Sequence, residues 1–182
     1  MEKILISIKD DFQSRVYQDF FREEGFEVLT ADDKNEVEDK VFQENPEVVL
    51  LDVLIAQEDD YQILKNIKEN KKTSVILFSK AHEGNYREKA VEFEVKDFIV
   101  GAYNSPINIL SKIKIHLGKE KSYSVNVDYF SSDIKELMND LGYEPGEKCR
   151  KCSNNLEMVM LRDLSKGSNY FKVSFVCPQC QI

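Results

Sequence analysis

The sequence predicts an α/β chain: a five-stranded parallel sheet wound on both faces by helices, followed by a small C-terminal β domain. Three observations carry this. Before residue 118, short apolar runs alternate five times with amphipathic stretches, the pattern of a parallel sheet covered on both sides. Charge is unevenly spread: residues 1–118 hold 16 basic and 24 acidic residues and so carry the whole net charge of −8, while residues 119–182 hold nine of each. All four cysteines fall within the last 34 residues. This shift in composition divides the chain into a first domain over 1–117, a polar linker at GKEKSYS (118–124) and a second domain over 125–182.

The elements follow in order. KILISI (3–8) is an apolar run short enough for a buried strand. Phe12, Val16, Phe20 and Phe21 then recur at helical spacing up to Gly25, which suits the position just past a helix end. FEVLT (26–30) precedes an acidic helix over 35–44, stopped by Asn45-Pro46. EVVLLD (47–52) precedes a helix carrying Tyr61, Ile63, Leu64 and Ile67. SVILFS (74–79) precedes a helix over 84–94. DFIV (97–100) precedes a helix opened by Pro106 and striped with Ile107, Leu110, Ile113 and Leu117. In open sheets of this kind the functional groups gather at the carboxyl ends of the strands. Asp52, Ser79 and the residues just after Ile8 and Val100 are expected to meet there.

The stretches KILI, EEGFEV, PEVVLLDVLI, SVILFS and DFIV resemble, in order and spacing, the receiver domain of two-component response regulators, over roughly two thirds of the chain. The resemblance implies the flavodoxin-like, CheY-like fold and makes Asp52 the position of the phosphoacceptor. It also implies a Mg²⁺ ion held beside that aspartate by an acid pair after the first strand, and a lysine after the fifth. This chain departs from the pattern at those places. Ile8 and Lys9 stand where the acid pair belongs, and neither suits an ion that demands hard oxygen ligands. Gly101 stands where the lysine belongs and Ala102 where a proline follows it, while Ser79 keeps the hydroxyl position and Phe98 the switch aromatic. Asp10 and Asp11 lie two residues too late and suit a helix cap and first-turn acid. Ala56 and Asp60 replace a usual proline and glycine, and Glu58, Asp59 and Asp60 form an acidic rim. The expectation is a degenerate receiver without Mg²⁺, in which the Lys9 ammonium pairs with Asp52 in place of the cation.

CRKC (149–152) and CPQC (177–180) form C-x₂-C-x₂₄-C-x₂-C, so that Cys149, Cys152, Cys177 and Cys180 can close a tetrahedral thiolate site around Zn²⁺. LEMVMLRD (156–163) and YFKVSFVC (170–177) read as strands joined by the turn LSKGSN, giving a zinc ribbon. A segment this small relies on its metal for folding free energy. With four protein ligands the metal is structural, since no position stays open for chemistry. Asp133 and Glu136 resemble a capping box ahead of a short helix with Ile134, Leu137, Met138 and Leu141 in one stripe and Gly142 at its end.

These features exclude more than they name. No nucleophile–base pairing or phosphate-cradling glycine loop is present, and His82 and His116 stand without matching ligands, so an enzyme is not expected. No apolar run is long enough to span a bilayer, and MEKILIS lacks the features of a secretion signal; a cytoplasmic protein follows as the default. Net charge and the balance over 119–182 weigh against nucleic acid, with the basic residues of KCRK read as charge compensation at the thiolates. The expected activity is protein–protein contact with other signalling proteins. The family surface of fourth helix, fifth strand and fifth helix admits a homodimer. Two alternatives stay open: a working phosphorelay receiver, and a nucleic-acid-associated regulator using the ribbon.

Overall fold

The computed structural model describes residues 1–70, 72–80, 86–95, 97–166 and 170–179, with backbone alone at 87 and 103. The chain divides into two compact units, Met1–Leu117 and Gly118–Ile182.

In the first unit, strands β1 (Lys3–Ser7), β2 (Glu27–Thr30), β3 (Val48–Asp52), β4 (Ser74–Ser79) and β5 (Asp97–Val100) form one sheet in the order β2-β1-β3-β4-β5. Every pairing is parallel, with Ile6 beside Leu50 and Asp52 beside Phe78. Alternate side chains enter opposite faces. Leu5, Val49, Leu51 and Leu77 join one buried cluster, and Ile4, Ile6, Leu50, Ile76 and Phe78 join the other. Both faces are therefore apolar, which is why the strands read as unbroken hydrophobic runs.

Helix α1 (Asp11–Glu23) is capped by Asp10, whose carboxylate accepts the Gln13 N–H at 2.9 Å, and Asp11 sits in its first turn. Gly25, at φ +87°, follows its end. The expected stripe shifts round the helix: Tyr17 and Phe21 are buried, whereas Phe12 is 77% exposed. α2 (Lys34–Glu44) is capped by Asp33. After β3 the chain makes a short α3 (Val53–Ala56) and a 3₁₀ turn (Gln57–Asp59) before α4 (Gln62–Glu69). Asp60 and Tyr61, expected at the start of one continuous helix, take positive φ between the pieces, and Tyr61 packs on Phe93. The next helix, α5, is described over Tyr86–Glu92, and α6 (Pro106–His116) begins on its proline. His82 lies outside the described residues.

The second unit holds strands β6 (Glu120–Val125), β7 (Glu157–Asp163) and β8 (Phe171–Val176) in an antiparallel sheet of that order, and helix α7 (Ser132–Asp140). The segment expected as a linker is thus corrected: 120–125 is an edge strand fully registered with β7, from Glu120 against Asp163 to Val125 against Met158. Its lysine, serines and tyrosine face solvent on an edge, so it lacks the apolar run that marks a buried strand. Ser131, not Asp133, caps α7, accepting the Ile134 N–H. Met138 is fully buried with Met158, Phe175, Cys149 and Cys177, and Ile134 and Leu137 pack on that cluster, while Leu141 is exposed.

Candidate functional site

Asp52 ends β3 with its carboxylate buried. Both oxygens accept backbone hydrogen bonds: Oδ1 from Leu54 N–H and Oδ2 from Lys9 N–H, each at 3.0 Å. The side chain is therefore the N-cap of α3 and a tie between the ends of β3 and β1. Burial is the largest influence on its proton affinity and raises it above the ordinary value. The two N–H donors and the Lys9 charge oppose that rise, and Asp10 adds to it.

The expected Lys9–Asp52 ion pair is not formed in the way anticipated. Lys9 meets Asp52 through its main-chain N–H, and its ammonium turns outward to Glu58 Oε1 at 3.0 Å and to the Asp32 carbonyl. A long flexible side chain whose carboxylate neighbour is already served by amides gains more from a half-exposed acid in the rim. Ile8 is buried and offers no donor atom. Asp10 is engaged twice, as cap of α1 and with Lys80 Nζ at 2.5 Å. Lys34 pairs with Asp59 at 3.2 Å. Lysine–carboxylate pairs thus link the segments after β1, β2, β3 and β4 around Asp52.

Ser79 is buried at the end of β4 and Phe98 is buried in β5. Gly101 follows β5, and a Cβ placed on it would lie 2.4 Å from Cζ of Phe78. The Phe78 ring, packed edge-on against Tyr17 at 5.8 Å between centroids, fills the space through which a longer residue at 101 would pass. Sequence reading saw that a basic residue was missing; it did not see that Phe78 had closed the route.

In the second unit Cys149, Cys152 and Cys177 place their sulfur atoms within 4.8 Å of one another, with Cys152 and Cys177 3.4 Å apart. Three such thiols suit a thiophilic cation such as Zn²⁺. Burial opposes ionisation of Cys149, but N–H donors from Cys152 and Lys151 and the neighbouring thiols bring it down to about 7. The 149–154 turn that aims these groups is closed by Cys149 N–H to the Asn154 carbonyl and Ser153 N–H to the Cys149 carbonyl. Cys180 lies outside the described residues.

Comparison with known proteins places this geometry. The response regulator receiver domain family matches residues 4–113. The transcriptional regulatory protein SrrA of Staphylococcus aureus is 26% identical over 123 residues, covering 68% of this chain and 51% of SrrA; the chain thus matches about half the length of that relative. Among solved structures, a two-component response regulator from Clostridium difficile superposes with a TM-score of 0.58 at 20% identity, over 65% of this chain and 98% of that one. A CheY-like receiver domain protein from Methanospirillum hungatei JF-1 gives 0.58 at 21% identity, over 65% and 94%. These structural likenesses speak to the fold of the first unit.

Proposed function

The chain belongs to the response regulator receiver family, and on that premise we propose that it is an atypical, cytoplasmic two-component regulator whose receiver domain signals without Mg²⁺-dependent phosphorylation. The observation that carries this reading is the state of Asp52: both of its oxygens are held by main-chain N–H groups, and the positions beside it that would complete a cation site are Ile8 and Lys9. Phosphoryl transfer to an aspartate needs a cation to take up charge on the transferring oxygens, and Mg²⁺ needs a near-octahedral oxygen shell. Asp10 does not supply one while it caps α1 and pairs with Lys80. The lysine pairs around the rim act as fixed cross-links between the loops that a metal and phosphoryl group would otherwise join.

On this reading the second unit is a structural zinc ribbon held by Cys149, Cys152, Cys177 and Cys180, and it is the output or adaptor element. Three of those thiols already converge. The domain's partners are other signalling proteins, and a second copy of the chain is an admissible partner for the α5, β5 and α6 surface. The test is incubation with acetyl phosphate and Mg²⁺, followed by intact-mass measurement. The reading expects no gain of a phosphoryl group; clear labelling of the wild type that is absent in Asp52→Asn overturns it.

That outcome would instead support a working phosphorelay receiver. The second reading draws on the retention of Asp52 and Ser79, both buried at the ends of adjacent strands.

A further inference from the structure

The balance of charge in residues 119–182 conceals a separation that the fold creates. Seven of the nine acids lie in 128–157, with four basic residues, whereas five of the nine basic residues lie in 119–121 and 162–172, with two acids. The antiparallel register gathers this second group at one end of the sheet, away from the cysteines: Lys121, Arg162 and Phe171 are direct partners across β6, β7 and β8.

That row shares a sheet face with Tyr123, Met160 and Val173, and with Val125, Met158 and Phe175. At the cysteine end the face is closed, with Met158 and Phe175 buried alongside Met138. At the other end it opens: Tyr123 is 42% and Phe171 39% exposed. Between these rings two cations stand directly opposite each other, an arrangement that destabilises a strand pair. Among the described residues neither Lys121 nor Arg162 has an acidic partner, and the Arg162 Nε is buried without a hydrogen bond. Beyond the row, the Lys166 ammonium lies 5.0 Å from the centroid of Tyr170. Lys121 and Arg162, without acidic partners among the described residues, stand beside the open rings of Tyr123 and Phe171, whereas Lys166 also pairs with Asp163 at 3.7 Å. The first two cations and the rings match what a single-stranded nucleic acid offers: phosphates for the cations, base faces for the rings.

We propose that the metal-distal end of this sheet binds single-stranded nucleic acid, with Lys121 and Arg162 on phosphates and Tyr123 and Phe171 stacking on bases. An acidic peptide would answer the two cations but leave the rings unexplained. A duplex would present phosphates without accessible base faces. The surface differs from the basic residues of the cysteine turn, and its use does not depend on whether Asp52 accepts a phosphoryl group, so phosphorylation of Asp52 would leave it standing.

The test uses the zinc-loaded 182-residue chain and fluorescein-labelled oligo(dT) and oligo(rU), read by anisotropy, with poly-glutamate as a parallel probe. Binding is expected to weaken with salt along a log–log slope of about −1.4, as two phosphate contacts on a single strand require. Lys121→Ser combined with Arg162→Gln should weaken binding about tenfold at low salt. Tyr123→Leu and Phe171→Leu, which keep apolar bulk but lose the flat ring, should each weaken it about fivefold. Lys148→Ser with Arg150→Ser at the cysteine turn should leave it unchanged. Metal content and circular dichroism show whether each variant is folded, and the two leucine variants carry the test should the charge variant fail to fold. The proposal is overturned if the wild type shows no salt-dependent binding or if the cysteine-turn variant loses it. It is equally overturned if the leucine variants bind as wild type while poly-glutamate competes, which would make the partner an acidic protein.

Discussion

Gly101 and Phe78 are sterically interlocked: a Cβ on Gly101 would approach Cζ and Cε2 of Phe78 to 2.4 and 2.7 Å, closer than two carbons can come. Phe78 is fully buried, so its ring has nowhere cheap to go. The absence of a basic residue after β5 is therefore built into the core, and putting one back is not a local change. Gly101→Lys should destabilise the first unit by about 1–3 kcal/mol, the range for forcing atoms into a packed core, measured by urea unfolding. Phe78→Val loses ring packing by itself, yet should recover part of the cost when combined with Gly101→Lys. A double-mutant cycle would show this as a favourable coupling; additive costs would mean the two positions are not in contact.

Asp52 gives a pH signature. Because burial raises its pKa in the folded chain above the usual 3.8, its ionised form is penalised on folding. That penalty is present above the folded value and disappears as pH falls below 3.8. Wild type should therefore gain stability relative to Asp52→Asn as pH drops from neutral toward 4. Thermal unfolding of both proteins across that range checks the slope; a gap that moves the other way would mean the amide donors and Lys9 outweigh burial.

Asp97 should behave in the opposite sense. Burial pushes its carboxyl up, but the His116 imidazole, whose Nε2 lies 3.8 Å from Oδ2, and the charge and hydrogen bond of Lys112, whose Nζ lies 2.8 Å from Oδ1, together hold it below 3.8. Its contribution to stability is present above 3.8 and is lost as pH falls through the lower folded value. Asp97→Asn should be less stable than wild type at neutral pH, with the difference closing in acid. Lys112→Met should reduce that pH dependence.

If the second unit is the zinc ribbon proposed above, removing its metal should unfold one unit only. The second unit buries a small core around Met138, Met158 and Phe175, in contact with Cys149 and Cys177, and binding energy at such a site is folding energy. A strong chelator should release one zinc per chain and abolish the near-ultraviolet signal of Tyr129 and Tyr143, whose rings pack on Phe175, while the amide protection of β1, β3 and β4 stays. Cys177→Ser should do the same without chelator. Cobalt substitution giving intense thiolate-to-metal bands would report the tetrahedral sulfur set.

Much of this was legible in the residues. The strands β1, β3 and β4 are buried on both faces, so their hydrophobic runs are continuous and hard to misread. Cys149 and Cys152 are separated by two residues, so local spacing was enough to bring them to one turn. Elements that depend on an edge or a break were missed: β6 because an edge strand with solvent-facing serines and lysines looks like a linker, and the break at Asp60 and Tyr61 because helical spacing of Ile63, Leu64 and Ile67 continues through it. The stripe on α1 was placed one face away, since Phe12 and Val16 share the spacing of the residues that are buried.

The order of residues alone determined the alternating α/β architecture, the four-cysteine pattern and the replacement of two acids by Ile8 and Lys9, because each is set by periodicity or by identity at a position. Only the tertiary structure decided where the Lys9 ammonium goes, that Phe78 fills the space above Gly101, and that Lys121 and Arg162 of the second unit stand opposite each other on one row of a sheet. Those are relationships between residues far apart in the chain. Side-chain reach, steric volume and strand register set them, and none of the three is expressed in local sequence.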